Sequence, residues 1–347
     1  MHHRSENISK AYSTTFEWIF RGQSQAQKDV PWDSLTEWLP RENSSIYWIT
    51  GKASSGKSTL MKFLCDDPRL SKLVEAWAED SKLRQASFYF WNSGVDDMQM
   101  SQVGLLQTLL HSFLKNDKSL ILSVFEERWE QFVAFGGGVD AFQWPELHSA
   151  FKKIIADESK KFFILIDGLD EFDGNPTVIV EFVLEAARPN VKICTASRPW
   201  NQFADAFRSR PNLQLENLTQ NDIGHYVNDH FNTNKFYRQL RNREPEDAAS
   251  LVDSVVGKAC GVFLWVKIVV HSLLQGFSNG DEVSHLQTRL DALPSDLEDL
   301  FDNILNRIEP AYFKRAYKLF RLHRALRDFC RAAGYKTSKS EPTLLDL

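Results

Sequence analysis

The sequence has few cysteines, and none of them forms a metal-binding or redox pair. Its four cysteines, Cys65, Cys194, Cys260 and Cys330, lie far apart, and no CxxC spacing occurs. This distribution argues against a disulfide framework or a zinc site and is typical of reduced thiols. The nine histidines show no HExxH spacing, so nothing indicates a metal site of that kind.

Long apolar runs are also missing. The longest, 259–274, contains Lys267 and His271 and is shorter than the roughly 20 residues of a membrane-spanning helix. The N-terminus is polar and charged and has no secretory core. We therefore expect a cytoplasmic protein without a membrane span. The net charge of −5 further disfavours nucleic acid as a partner.

Strand-like and helix-like patterns alternate in the first two thirds of the chain. Apolar runs of strand length occur at 46–50, 88–91, 162–166 and 191–195. Helical patterns occur between them, at 58–64, 101–114 and 145–156. Because strands separated by helices form parallel sheets, we predict a three-layer α/β/α fold.

The remaining segments are predicted to be helical. An amphipathic pattern predicts one helix over 4–20. Thr219 with Asp222 resembles a capping pair at the start of a helix, and Ser295 with Glu298 resembles a capping box.

Two features stand near the C-terminus. Residues 313–331 mix basic and apolar side chains, and we favour a packed helix with a solvated basic face over a nucleic-acid or lipid surface. The last stretch, 336–347, is expected to fray.

The segment 51–58 reads GKASSGKS and matches the phosphate-binding pattern GxxxxGK[ST]. It lies between a predicted strand and a predicted helix, the context that such a P-loop requires. Backbone N–H groups of small residues can surround a β-phosphate, and the helix N-terminus adds positive potential. Lys57 would contact the β- and γ-phosphates, and the Ser58 hydroxyl would bind Mg²⁺. The predicted nucleotide contacts are Gly51, Ala53, Ser54, Ser55, Gly56, Lys57, Ser58 and Thr59.

An acidic segment follows the apolar run 162–166. Asp167 would stand at the carboxyl end of a buried strand, where open α/β sheets bind ligands, and would hold Mg²⁺ directly or through water. Asp170 and Glu171 could polarise the attacking water as general bases. An acidic loop that only caps a strand is the alternative interpretation.

An arginine, Arg198, follows the run 191–195 and precedes a proline. It could contact the γ-phosphate and report its presence, although a structural arginine in a surface salt bridge fits the motif equally well. Lys57, Asp170, Glu171 and Arg198 form the predicted catalytic set, with Ser58 and Asp167 as the metal ligands. The chain has no Asn-Lys-x-Asp stretch for guanine, which favours ATP while leaving GTP open.

Together these motifs resemble the NACHT class of STAND P-loop NTPases, most closely the fungal form whose P-loop domain is akin to the nephrocystin N-terminal domain. The resemblance covers about 4–325. It rests on the segments 15–20, 46–52, 60–62, 88–94, 165–172, 195–199 and 259–266.

The resemblance implies a switch in which exchange of diphosphate for triphosphate drives oligomerisation. It also implies four parts: an N-terminal helical segment (1–42), a P-loop NTPase domain (43–215), a helical domain (216–292) and a partial winged-helix segment with a tail (293–347). Relatives often carry arginine where this chain has Gln107, and the pattern drifts after Leu326.

Two functions are expected from this interpretation. The first is a signalling NTPase that binds ATP or GTP with Mg²⁺, hydrolyses it slowly and assembles with itself or with related proteins. The second is a non-catalytic, truncated adaptor that binds nucleotide and oligomerises with longer relatives. The expected absence of an effector domain and of sensing repeats motivates the second.

Overall fold

The central sheet of the computed structural model is parallel throughout. The structure describes residues 3–12, 14–21, 32–92, 97–115, 117–136, 140–306 and 310–332. The sheet strands within these ranges are β1 (Ile46–Thr50), β2 (Lys82–Tyr89), β3 (Lys160–Asp167), β4 (Val191–Ser197) and β5 (Asn212–Gln214). Their order is β2-β3-β4-β1-β5, and every neighbouring pair is parallel. The predicted parallel α/β sheet is therefore confirmed.

The burial of each strand explains how well its limits could be predicted from the sequence. All residues of β1 and β4 are buried, so both strands read as continuous apolar runs. Strand β2 begins at Lys82, six residues before the predicted start, because its first half is exposed or half-buried at the edge of the sheet. Edge strands commonly carry charged side chains, which hide them from a search for apolar runs.

Helices cover both faces of the sheet and give the three-layer arrangement. One core contains the sheet face that packs against α5, α8, α9 and α10, and the other contains α2, α3 and α4 with Ile8, Phe16, Trp18 and Ile19. The helices of this part are α1 (His3–Asn7), α2 (Leu35–Trp38), α3 (Lys57–Asp66), α4 (Pro68–Ala78), α5 (Gln102–Leu114), α6 (Lys118–Val124), α7 (Glu126–Phe135), α8 (Trp144–Ile155), α9 (Pro176–Ala186) and α10 (Asn201–Phe207).

A third core lies in a helical region after the sheet. It comprises apolar side chains between Ile223 and Leu300, with Trp265 completely buried. Its helices are α11 (Gln220–Thr233), α12 (Lys235–Arg243), α13 (Pro245–Ala259), α14 (Phe263–Asn279), α15 (Val283–Asp291) and α16 (Leu297–Asn306), followed by α17 (Pro310–Ala332). None of the helices in the described ranges is long and apolar enough to cross a membrane.

The prediction of one helix over 4–20 is wrong, but the apolar side chains of this segment that were predicted to face one side are largely buried. The structure has the short α1, then a turn with Thr14 and Phe16 at positive φ, and then a 3-10 turn at Glu17–Phe20. Ile8, Phe16 and Ile19 are nevertheless buried, as the apolar pattern indicated. A continuous helix does not form here because Thr14 and Phe16 have left-handed backbone conformations, and the Phe16 N–H donates to a carboxylate of α11.

Both predicted capping pairs are wrong. Thr219 makes no capping bond, and Asp222 accepts hydrogen bonds from Phe16 N (3.1 Å) and Trp18 Nε1 (2.9 Å). At α16 the cap is Asp296, which accepts from Glu298 N at 2.8 Å, rather than Ser295. In each case a neighbouring carboxylate, which accepts more strongly than a hydroxyl, determines the local structure.

The C-terminal helix α17 forms where it was predicted, but its apolar side chains are not packed. Leu319 and Leu322 are each 65 % exposed, and Leu326 is 58 % exposed. The predicted packing of this helix is therefore wrong for the chain described. The winged-helix segment and the domain boundaries of the sequence analysis stay predictions. The tail 336–347 and the last two residues of the segment 88–94, Ser93 and Gly94, lie outside the described residues.

Asp222 links the helical region to the segment beside the sheet, so its removal has a predictable cost. In Asp222→Ala two buried donors lose their acceptor, and we expect the free energy of unfolding to fall by about 2 kcal/mol. Asp222→Asn keeps an oxygen at this place and should lose less. Urea denaturation measures both.

The matched control is Asn221→Ala, because Asn221 lies on the same helix and is exposed. Its free energy of unfolding should stay close to that of the wild type. Equal stability of Asp222→Ala and Asn221→Ala would contradict the role given to Asp222.

Candidate functional site

The candidate site lies at the carboxyl ends of three adjacent strands. Thr50 of β1 pairs with Ser197 of β4, and Thr195 of β4 pairs with Ile166 of β3. Because the strands are parallel, the segments that follow them emerge at the same edge of the sheet. The P-loop, the acidic segment and Arg198 therefore meet at one place, as their positions in the sequence predicted.

The P-loop, residues 51–58, folds as a tight turn that leads into α3. Gly56 has φ +98°, a conformation that favours glycine, and the first turn of α3 begins at Lys57. The Lys57 Nζ donates to the carbonyl oxygens of Gly51 (2.7 Å) and Lys52 (2.8 Å). The ammonium group at the end of the loop thus binds the two carbonyl groups at its start.

The other predicted loop contacts differ in exposure. Ala53 and Ser54 are exposed at the tip, whereas Ser58 and Thr59 are half-buried in the first turn of α3. Ser55 is completely buried, and its Oγ has no hydrogen-bond partner among the described residues. A buried hydroxyl without a partner is costly, so this atom is suited to a polar ligand in the loop.

Several charged groups surround the Lys57 ammonium. Burial lowers the pKa of Lys57, and the carboxylates of Asp170, Asp167 and Glu216 oppose that shift. The Arg198 guanidinium adds to the lowering. The structure therefore brings Lys57, Asp167, Asp170 and Arg198 within electrostatic reach of one another, and it adds Glu216.

Asp167 ends β3 and is 1 % exposed. Among the described residues, neither of its carboxylate oxygens makes a hydrogen bond. Burial raises the pKa of Asp167 to about 6, although the nearby Ser58 hydroxyl and the Arg4 guanidinium lower it. A buried carboxylate and a hydroxyl are hard oxygen donors of the type that Mg²⁺ prefers, so Asp167 and Ser58 fit a magnesium site.

Asp170 holds Arg198 in place. One carboxylate oxygen of Asp170 accepts from the Arg198 backbone N–H at 3.0 Å, and the other is 3.0 Å from Nε. The Asp170 side chain is only 5 % exposed, whereas that of Arg198 is 44 % exposed. Asp170 thus anchors the arginine, and the guanidinium keeps access to solvent at the mouth of the loop.

Glu171 is held by two other segments. Its Oε2 accepts from the Asn92 backbone N–H at 3.0 Å, and its Oε1 lies 3.5 Å from an Arg4 nitrogen. Its side chain is 19 % exposed. The two neighbouring acids of the predicted catalytic set therefore have different partners and different surroundings.

The sequence analysis missed Glu216, which contacts the P-loop. Its Oε2 accepts from the Lys52 backbone N–H at 3.3 Å. Gly261, with φ +79°, lies so close to Glu216 that an added Cβ would be 2.4 Å from the Glu216 Cβ. This junction connects the P-loop to the turn between α13 and α14. No motif marks Glu216, because its partners are distant in the sequence.

Two phenylalanines lie close to Gly56 of the P-loop. A Cβ added to Gly56 would lie 3.6 Å from the Phe16 ring and 3.9 Å from the Phe263 ring. Phe16 belongs to the N-terminal segment and Phe263 begins α14. The loop therefore lies between the helical region and the segment that precedes the sheet.

The sheet topology and the loop after β1 define this chain as an α/β P-loop NTPase fold with a helical region. A family model described as nephrocystin 3, N-terminal, matches residues 15–198. Because that match covers more than half of the chain, the protein belongs to this family. The match begins in the segment 15–20 and ends at Arg198. The resemblance expected for residues before and after this match therefore stays a prediction.

The similarity of the chain to solved structures is weaker than its match to the family model. The chain resembles a chain of Drosophila ORC bound to DNA, with a TM-score of 0.43, 14 % identity, and coverage of 88 % of this chain and 81 % of that one. Cdc6p from Pyrobaculum aerophilum has a TM-score of 0.38 and 10 % identity, with coverage of 81 % of this chain and 67 % of that one. PCH-2 from C. elegans has a TM-score of 0.34 and 11 % identity, with coverage of 78 % of this chain and 66 % of that one. These scores carry no inference about function. No curated protein sequence matches the chain.

The raised pKa of Asp167 predicts how pH affects stability. Since the pKa is higher in the folded protein than in the unfolded chain, the ionised carboxylate opposes folding above pH 6. That cost disappears as the pH falls toward about 4. We therefore expect Asp167→Asn to raise the free energy of unfolding at pH 8 by up to ~3 kcal/mol, and to have little effect near pH 4.

Urea denaturation of the nucleotide-free protein at the two pH values measures this difference. Asp173→Asn is the control, because Asp173 is exposed in the same acidic segment. A destabilised Asp167→Asn variant at pH 8 would mean that the carboxylate is not an uncompensated buried charge.

Proposed function

We propose that the protein binds a nucleoside triphosphate with Mg²⁺ and hydrolyses it slowly, as the switch of a NACHT-type STAND signalling protein. The observation that carries the proposal is the pair formed by Lys57, closing the P-loop, and Asp167, buried without a hydrogen-bond partner in the described chain. A phosphate group would give the ammonium a charged acceptor, and a cation would satisfy the carboxylate.

In this proposal the loop residues 51–59 bind the phosphates. The Lys57 ammonium would exchange its two loop carbonyl acceptors for phosphate oxygens. The Ser55 hydroxyl, which is buried in the loop and has no partner within the described part of the chain, would gain one. Ser58 and Asp167 would hold Mg²⁺, whose chemistry is to neutralise charge on the β- and γ-phosphates.

Glu171 is the better candidate for the general base. Asp170 is occupied on both oxygens by Arg198 and serves to place that guanidinium, which would contact the γ-phosphate. Glu171 remains partly exposed, with its carboxylate oriented by Asn92. In that position it would accept a proton from the attacking water.

Phe263 supports a place for the nucleotide base. Its half-buried ring lies beside Gly56, where an added Cβ would be 3.9 Å from it, whereas the Phe16 ring is buried in the core and has no free face. Aromatic rings offer stacking surfaces that any base can use, so this contact does not separate ATP from GTP. The preference for ATP therefore stays a prediction from the missing Asn-Lys-x-Asp stretch.

The same contacts support a switch. The P-loop meets the start of α14 through Phe263 and meets the turn before it through Glu216 and Gly261. A ligand in the loop would alter these contacts, and so would favour one placement of the proposed helical domain (216–292) over another. Self-association rests on the family resemblance. The exposed apolar side chains of α17 are compatible with it.

A second candidate is the non-catalytic adaptor. It is favoured by the ion pairs of the two candidate bases, since Asp170 is bound to Arg198 and Glu171 lies beside Arg4. A site whose two candidate bases are both paired can bind nucleotide without activating water. The expectations of no nucleic-acid partner and of a cytoplasmic location are unaffected by this choice and stay predictions.

The variant Glu171→Gln separates the two candidates. If Glu171 is the base, the variant should bind triphosphate with Mg²⁺ as the wild type does and lose turnover by a factor of about 10² or more. Binding is measured by calorimetry and turnover by phosphate release.

Asp173→Asn serves as the exposed acidic control, and Lys57→Ala as the reference for turnover without a functional P-loop. Wild-type phosphate release no greater than that of Lys57→Ala, with triphosphate still bound, would favour the adaptor. Unchanged turnover in Glu171→Gln would remove Glu171 from the mechanism.

A further inference from the structure

The short N-terminal helix α1 lies against the P-loop helix. The Lys62 Nζ, on α3, donates to the carbonyl oxygens of Ser5 and of Ile8, the latter at 2.9 Å. Ile8 is buried in the core that also contains α3. One lysine therefore ties the end of α1 to the helix that begins at the phosphate-binding loop.

This attachment brings Arg4 to the acidic edge of the site. An Arg4 nitrogen is 3.5 Å from Glu171 Oε1, and the Arg4 Cζ lies 5.0 Å from the centroid of the Trp91 ring. The Arg4 side chain is 20 % exposed. Its Nε is buried and has no hydrogen-bond partner among the described residues. Stacking on the indole ring and the ion pair together define where the guanidinium lies.

Arg4 and Asn92 act on different oxygens of the same carboxylate. Asn92 N–H donates to Oε2, and Arg4 stands beside Oε1. Trp91, on which Arg4 stacks, directly precedes Asn92. The three residues therefore form one support for Glu171, and α1 contributes the charged part of it.

We propose that Arg4 is a positioning residue for triphosphate hydrolysis, which holds the Glu171 carboxylate in the orientation from which it activates water. The inference rests on the function proposed above. It makes α1 a part of the site, although nothing in the P-loop, the acidic segment or the Arg198 turn indicates it. Asp170 holds Arg198 on one side, and Arg4 holds Glu171 on the other.

The kinetics of Arg4→Ala test the proposal. We expect kcat to fall by about tenfold, with KM and the triphosphate affinity within about twofold of the wild type, because the residue orients the base and does not bind the phosphates. Arg4→Lys should recover part of kcat, since it keeps the charge but not the planar stacking group. Glu6→Gln, an exposed change on the same helix, should leave all values unchanged.

A double-mutant cycle distinguishes positioning from a general structural effect. In the Glu171→Gln background, Arg4→Ala should have no further effect, because there is no base left to orient. An additional loss of similar size in that background would overturn the proposal. So would an unchanged kcat in Arg4→Ala, or an increased one, which would make α1 a latch that restrains the site.

The attachment of α1 has a readout that does not need activity. Hydrogen exchange of the segment 3–12 in the nucleotide-free protein should be faster in Lys62→Met than in the wild type, whereas Glu6→Gln should match the wild type. Equal exchange in all three proteins would show that α1 is not held, and would overturn the proposal.

A wild type that binds triphosphate but releases no more phosphate than Lys57→Ala rejects both the hydrolytic function and this inference. Hydrolysis that is insensitive to Arg4 rejects the inference alone.

Discussion

The adjacency of β3, β4 and β1 in a parallel sheet is the constraint on which the site depends. Parallel strands end at a common edge, so three segments far apart in the sequence converge at 51–58, 167–171 and 198. The register brings Thr50 beside Ser197 and Ile166 beside Thr195, which leaves little freedom in where the following loops emerge. A strand order that placed β1 and β3 at opposite edges of the sheet would separate Lys57 from Asp167 and remove the site, however well each motif was preserved.

The acidic residues at this edge of the sheet differ in their hydrogen-bond and ion-pair partners. Burial raises the pKa of Asp167, and its carboxylate has no hydrogen-bond partner in the described chain, so it is the group that would gain most from a cation. Asp170 and Glu171 are instead each paired with an arginine from a different element. Three carboxylates within five positions of the sequence therefore have three different environments, which in the proposed function suit a metal at Asp167, the placement of Arg198 at Asp170 and a water-activating base at Glu171. Glu216, which arrives from the end of β5, joins the loop to the helical region.

The sequence was sufficient where a local pattern carries the information. The buried strand β1 and the P-loop are contiguous, and the apolar run of β3 leads directly into Asp167, so both could be located without a structure. The contacts that the sequence did not reveal join distant positions. Asp222 binds Phe16 and Trp18 across more than 200 residues, with separations of 206 and 204, and Lys52 and Glu216 are 164 residues apart. Such pairs depend on tertiary packing, and no local spacing records them. For the same reason Asp222, which was predicted to take part in a helix cap, was found to accept hydrogen bonds from the N-terminal segment.

The most direct test of the central claim is the nucleotide content of the purified protein. The protein is denatured, and the released nucleotide is identified by chromatography beside a Lys57→Ala sample of verified fold. The account predicts a nucleoside diphosphate or triphosphate from the wild type, or its uptake when ATP and Mg²⁺ are added, and neither from Lys57→Ala. A folded wild type that releases no nucleotide and binds none would contradict it, as would equal amounts from both proteins.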